Sequence, residues 1–242
     1  MIAALLIDLD DTLLDDRQAM AAAVLQLRER LGLSPSKDSD AISKRWDDIG
    51  RALWARCAAG EISFVEQRRA RLRDTFCIAL SDQEADAMFG EYLGFYELHW
   101  QLLPGAIEFL AATAHLPRAI VTNGHRAQVD KKLHKLGLAT QFKAVVTPDD
   151  CGAKKPDPRL LLYALERLGV QAQHTLMVGD NLASDIAPAS ALGMQVFHVD
   201  ARVQGQSIGD CVRHTALSTH SPQSDIATNS VALATYSPRA RA

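Results

Sequence analysis

No run of about 18 apolar residues occurs anywhere in the chain, so no segment reads as a helical membrane span. A basic opening, an apolar signal core and a small-residue cleavage site are also missing, because Asp8 and Asp10 break the first apolar run. A cytoplasmic location is therefore the expectation. Cysteine is scarce. Cys57, Cys77, Cys151 and Cys211 are the four among 242 residues, and no two form a CxxC pair. That spacing argues against a thiolate zinc site and against a disulfide framework. An excess of one charge is lacking too: 26 basic against 29 acidic residues leave a net charge of −3. Such a balance offers no electrostatic footprint for nucleic acid and no preference for a membrane surface. No internal repeat is evident, which sets solenoid architectures aside.

What is present begins at once. Residues 2–7 are all apolar, and Asp8, Asp10 and Asp11 follow within four positions. An apolar run closed by charge predicts a strand buried on both faces of a sheet, here over residues 2–8. Side chains alternate along a strand, so Asp8 and Asp10 set out on the same side. Two carboxylates so close are unfavourable unless a shared proton or a cation relieves them, and a hard divalent ion held by oxygen is the simplest relief. A solvated Asp-rich turn after a core strand is the alternative reading of the same residues.

The period then becomes helical. Helices are predicted over 17–31, 40–59, 63–80 and 81–96, with Ser63 and Glu66 forming a capping box and Ser81 capping the fourth. The stripe Trp46, Trp54, Phe89, Tyr92, Phe95 and Tyr96 reads as packing between these helices. From Pro104 the pattern alternates: strands over 119–121, 142–146, 175–178 and 194–199, with helices over 106–114, 127–136, 158–168 and 183–192, the last broken or kinked near Pro188. Strands alternating with helices imply right-handed crossovers and a parallel sheet covered on both faces. The Ser-, Thr- and Gln-rich segment from 205 to 242 reads as a poorly ordered tail, with a short element through 231–234.

Each later strand ends in a polar signature. Thr122-Asn123-Gly124 offers a hydroxyl, an amide and a flexible backbone to an oxyanion. Lys154-Lys155-Pro156 sets cations in a stiff loop. Gly179-Asp180 is followed by Asp185, which would also serve as a helix cap. His125 follows the Asn-Gly pair and faces either the same site or its own helix end.

Taken in order, Asp8-x-Asp10-x-Thr12, Thr122, Lys155-Pro156 and Gly179-Asp180 with Asp185 closely resemble the four motifs of the haloacid dehalogenase superfamily. The resemblance implies an α/β fold, a Rossmann-like parallel sheet core formed by residues 1–15 and 102–204, with an inserted all-helical cap over 16–101. It implies that Asp8 is the nucleophile toward phosphorus and that Asp10 is the general acid and base. Mg²⁺ would be held by the carboxylates of Asp8 and Asp180 and the main-chain carbonyl of Asp10, with Asp185 in support. Thr122, the backbone of Asn123 and Lys155 would hold the phosphoryl oxygens, Lys155 being preferred to Lys154 because it directly precedes the proline. Thr12 and Gly124 would stabilise the two loops. Dehalogenases of this fold lack a carboxylate two residues after the nucleophile, so Asp10 favours phosphate chemistry. The substrate implied is a small phosphomonoester: a nucleotide, flavin mononucleotide or a sugar phosphate. A phosphomutase or phosphotransferase shares all four motifs, and a non-catalytic binding protein on the same scaffold stays open beside them.

Overall fold

Strand β1 (Ala4–Ile7) runs up the middle of the sheet, buried at every position. The computed structural model describes residues 1–33, 39–200 and 203–213. Within them β2 (Arg118–Val121), β3 (Ala144–Val146), β4 (Thr175–Gly179) and β5 (Gln195–His198) all lie parallel to β1, in the order β3-β2-β1-β4-β5. Ile7 sits in register with Ile120 on one side and Val178 on the other. Leu5 and Ile7 join one apolar cluster while Ala4 and Leu6 join a second across the sheet. Both faces are covered, which is why β1 is apolar without alternation.

This strand order places the site. The chain leaves β1 toward β2 and β3, then returns to β1's other side for β4 and β5. The direction of winding reverses between β1 and β4, which opens a crevice at their carboxyl ends. Asp8 follows β1 and Asp180 follows β4, so both stand at that crevice.

Helices α1 (Asp16–Arg30), α2 (Ser39–Ala58), α3 (Phe64–Phe76) and α4 (Asp82–Leu98) fill the interval between β1 and β2. Ser63 with Glu66 and Ser81 with Glu84 form full capping boxes at the starts of α3 and α4. The outgoing and returning chains run side by side, Leu103 N donating to Leu13 O at 2.8 Å and Asp15 N to Gln101 O at 3.0 Å. Trp46 packs against Tyr92 with ring centroids 4.6 Å apart, and Tyr92, Tyr96 and Trp100 continue the row toward the sheet. One apolar cluster thus runs from Trp46 and Leu72 down to Leu5 and Ile7.

The remaining helices are α5 (Ala106–Ala112), α6 (Arg126–Lys135), α7 (Pro148–Cys151), α8 (Pro158–Leu168) and α9 (Ala187–Ala191). Several sequence expectations need correction. Trp54 packs on Phe64 of α3, ring centroids 5.4 Å apart, but stays 47% exposed because Leu53 takes the buried position and the next residue turns about 100° away. Helix α3 stops at Phe76, not near Leu80, since Cys77 adopts a left-handed φ of 54° and its N–H closes on Arg73 O. The helix expected over 183–192 is interrupted beside Pro188 as expected: a π-turn over Leu182–Ile186 gives way to α9, with Pro188 in its first turn. The segment expected to start a loose tail is anchored: Ile208 and Cys211 are buried, and Gly209 closes on Gly105 so tightly that a Cβ there would stand 2.9 Å from its Cα. The expected element through 231–234 lies outside the described residues.

Candidate active site

A tight loop carries the chain away from Asp8. Leu13 and Leu14 both donate their N–H to Leu9 O at 2.9 Å, and Asp11 takes a left-handed φ of 57° to make the turn. Leu9, Leu13 and Leu14 are fully buried, so this loop is fixed from beneath. Buried Thr12 donates its hydroxyl to Asp8 Oδ2 at 3.3 Å. Above the loop lies an open cleft of about 380 Å³. Asp8, Asp10, Thr122, Asn123, Gly124, Lys155, Asp180 and Asp185 all line it, gathered from the ends of β1, β2 and β4 and from the loop before α8.

Lys155 is buried and its ammonium is threefold engaged. It donates to Asp8 Oδ1 at 2.6 Å and to Val121 O at 2.7 Å, and it stands 2.6 Å from Asp185 Oδ1. The side chain of Asn123 clamps this loop: its Oδ1 accepts from Lys155 N at 2.7 Å and its Nδ2 donates to Lys155 O at 2.9 Å. The amide offered by the sequence to an oxyanion is therefore occupied, and Asn123 positions the lysine instead. Lys154 is exposed. Thr122 Oγ1 accepts from Gly124 N at 3.1 Å, which shapes the loop after β2. A Cβ on Gly124 would approach Val129 to 2.9 Å, so the close packing of that loop on α6 requires glycine.

Asp8, Asp180 and Asp185 each present an oxygen within 4.8 Å of the others. Asp185 is not a helix cap. Asn181 fills that role, accepting from Ala183 N and Ser184 N at 3.0 Å, while Asp185 turns inward and accepts from Asn181 N at 3.1 Å. Its other oxygen is buried without a well-directed hydrogen bond. The turn holds Asp185 directly against Gly179, where a Cβ would fall 2.6 Å from that of Asp185. Gly179→Ala is thus expected to destabilise the fold by about 1–3 kcal/mol through overpacking, read as a lowered midpoint in thermal melts. An unchanged midpoint would show that Asp185 is not seated there.

Three carboxylates face the single ammonium of Lys155. Burial raises Asp8 from its ordinary value to about 7, against the pull of Lys155 and with Asp185 adding to the rise. Burial and the neighbouring acids raise Asp180 to about 6. The surplus negative charge and the all-oxygen donor set fit a hard divalent cation such as Mg²⁺. Arg17 braces the rim, its Nε 2.9 Å from Asp11 Oδ2 and its Nη2 3.2 Å from Asp180 Oδ2.

The carboxylate of Asp10 does not join this group. Its Oδ1 is 2.5 Å from the Nζ of Lys132, which also contacts Asp16 Oδ1 at 3.0 Å. Its Oδ1 is thus engaged away from Asp8, Asp180 and Asp185, and Oδ2 is left unpaired by Lys132. Burial raises the Asp10 carboxyl to about 7 even with Lys132 beside it, which suits a group that gives and takes a proton near neutrality. Sequence reasoning missed Lys132, Asp16 and Arg17. A signal existed for Lys132: it falls on the apolar face of α6 with Val129 and Leu133, where a lysine needs a partner. His125 adopts the N-cap position of α6 without capping it. Its ring is largely exposed and lies 6.4 Å from that of Phe64.

Comparison with known proteins bears on this geometry. A family model described as haloacid dehalogenase-like hydrolase matches residues 2–193. The HAD-hydrolase YfnB of Bacillus subtilis is 32% identical over 196 residues, 78% of this chain and 80% of YfnB. A crystal structure of YfnB bound to magnesium superposes with a TM-score of 0.68, covering 82% of this chain and 86% of that one. A phosphoglycolate phosphatase of Neisseria gonorrhoeae is 31% identical over 79% of this chain and 77% of its own length. A phosphoserine phosphatase of Thermus thermophilus is 31% identical over 81% and 88% respectively.

Proposed function

Since the chain belongs to the haloacid dehalogenase-like hydrolases and is a phosphatase of small phosphate esters, we propose that it hydrolyses a small phosphomonoester through an aspartyl-phosphate on Asp8, with Mg²⁺ as cofactor. The observation that carries this reading is the convergence on one cleft of Asp8, Lys155, Asp180 and Asp185, with Asp10 turned aside to its own lysine. Asp8, Asp180, Asp185 and the main chain of Asp10 hold the Mg²⁺, which supplies positive charge to the phosphoryl oxygens when bound. Lys155 neutralises the approach of an anionic ester to the Asp8 carboxylate. Thr122 and the backbone of the Asn123-Gly124 loop orient the phosphoryl group. Asp10 protonates the departing alcohol and then activates the water that frees Asp8.

Residues 16–101 act as a cap over the core of 1–15 and 102–204, excluding bulk water and selecting the leaving group. The names of the relatives add small phosphorylated acids to the nucleotides, flavin mononucleotide and sugar phosphates expected from sequence, so all these classes belong in a substrate panel.

The test is phosphate release from 4-nitrophenyl phosphate. Release is expected with Mg²⁺, to cease with chelator and to return when Mg²⁺ is restored. Inactivity on this probe and across the panel would overturn the reading.

Binding of Mg²⁺ is also expected to appear as stability. Asp8 and Asp180 are raised in the fold to about 7 and about 6. Their contribution to stability is complete below the ordinary carboxylate range and is lost as pH rises through those values. The metal-free protein should therefore melt progressively lower between about pH 4 and 7. Mg²⁺ at a hundredfold its dissociation constant should add about 2.7 kcal/mol at pH 7.5, roughly 5–10 °C for a chain of this size, and much less at pH 5. Equal stabilisation at both pH values would place the ion elsewhere.

A further inference from the structure

We propose that Lys132 is a positioning residue that aims the Asp10 carboxyl at the leaving group, an inference that rests on the phosphatase reading above. Lys132 lies in α6, the helix that begins just beyond the Gly124 loop, and its side chain is 2% exposed. Its ammonium is held on every side that matters. Asp10 Oδ1 is 2.5 Å away and Asp16 Oδ1 3.0 Å. The rings of Tyr96 and Trp100 lie 5.2 and 5.7 Å from Nζ, and the Tyr96 hydroxyl donates to the same Asp16 oxygen. Burying a lysine is costly unless its charge is paired. Packing beside Val129 and Leu133 would be served by an apolar residue. The charge of Asp8 is already matched by Lys155. What Lys132 adds is direction.

With Oδ1 of Asp10 tied to Lys132, the carboxyl plane is fixed and Oδ2 is the oxygen left to act. Oδ2 looks toward the Gly124 loop: a Cβ built on Gly124 would lie 3.9 Å from it and 3.4 Å from Thr122 Oγ1. That is the loop expected to hold the phosphoryl group. In the first half-reaction an Asp8 oxygen bonds to phosphorus as the ester P–O bond breaks, and the proton on Asp10 Oδ2 passes to the departing oxygen to give the free alcohol. In the second, Asp10 takes a proton from a water whose oxygen bonds to phosphorus. The Asp8–phosphorus bond breaks, inorganic phosphate leaves, and Asp10 is protonated again. Lys132 touches no reacting atom in either half. Without it, Asp10 is free to rotate away or to swing onto the metal site.

The test compares two probes on the full-length protein with Mg²⁺. The leaving oxygen of phenyl phosphate needs a proton as it departs; that of 4-nitrophenyl phosphate does not. Lys132→Met is expected to lower kcat/KM, which reports the steps up to departure of the phenol, about a hundredfold on phenyl phosphate, the low end of what a positioned general acid contributes, and only a few-fold on 4-nitrophenyl phosphate; kcat, which includes the hydrolysis that Asp10 assists for both, should fall on both. Lys132→Arg, which keeps the positive charge, should recover part of the loss on phenyl phosphate. If thermal melts show that Lys132→Met does not fold, Lys132→Gln carries the same comparison. Equal losses of kcat/KM on the two probes, or none, would overturn the inference while leaving the phosphatase reading intact. Failure of the wild type on both probes, or full activity of Asp8→Asn, would overturn the reading and the inference together.

Discussion

Asp8→Asn should abolish phosphate release, with kcat reduced by at least about a thousandfold; loss of a residue that bonds to the reacting centre costs this much or more in other enzymes. The fold should survive, for an amide occupies the same space, keeps Oδ1 as the acceptor for Lys155 and turns Nδ2 to Thr12, whose hydroxyl can accept as well as donate. In metal-free buffer at pH 8 the variant should even melt as high as the wild type or higher. One of three carboxylates crowded round a single lysine has been neutralised, and it is one that burial already resists charging. Acid quench during turnover should leave phosphate on the wild-type protein and none on the variant. Retention of more than about a tenth of wild-type turnover would sink the aspartyl-phosphate route, since no other carboxylate of the cleft shares the position of Asp8 at the end of the central strand.

Lys155→Met should be the most damaging change to stability. The ammonium removed is 2.6 Å from both Asp8 and Asp185 and donates to Val121 O at 2.7 Å. Two buried carboxylates and a main-chain carbonyl lose their common partner. Removing one side of a buried ion pair costs about 3–5 kcal/mol, which for a chain of this size lowers the melting midpoint by roughly 6–20 °C. The loss should be smaller at pH 5 than at pH 8, because the stranded carboxylates then accept protons. Mg²⁺ should return part of the stability, as it supplies charge to Asp8 and Asp185, but no turnover, as nothing then neutralises the ester on the lysine side. Thermal melts at the two pH values, with and without Mg²⁺, check the first three statements, and phosphate release the fourth. A variant that melts like the wild type at pH 8 would show that Lys155 is not the charge partner the geometry makes it.

Local chemistry made much of this protein legible in its residues. Strand β1 is apolar at every position because both faces of its sheet are covered, and that run alone marks it. Ser63 with Glu66 and Ser81 with Glu84 mark helix starts because the capping bonds join residues three apart. The motif residues were legible because each closes a strand or occupies the loop beyond one. Where reading failed locally, competing local effects were responsible. Helix α3 ends at Cys77, whose left-handed backbone no apolar spacing announces, and Asp185 turns inward onto Gly179 while Asn181 takes the cap.

The residues by themselves determined the sheet, the helical insertion and the acid, lysine and hydroxyl set, since these rest on patterns a few positions long. Only the tertiary structure decided how that set is divided: Asp185 against Gly179 and Lys155 rather than at a helix cap, Asn123 as the clamp on Lys155, and Asp10 on Lys132, a partner 122 positions along the chain. Which charges meet across such separations depends on how strands and helices pack, and no periodicity along the chain records it.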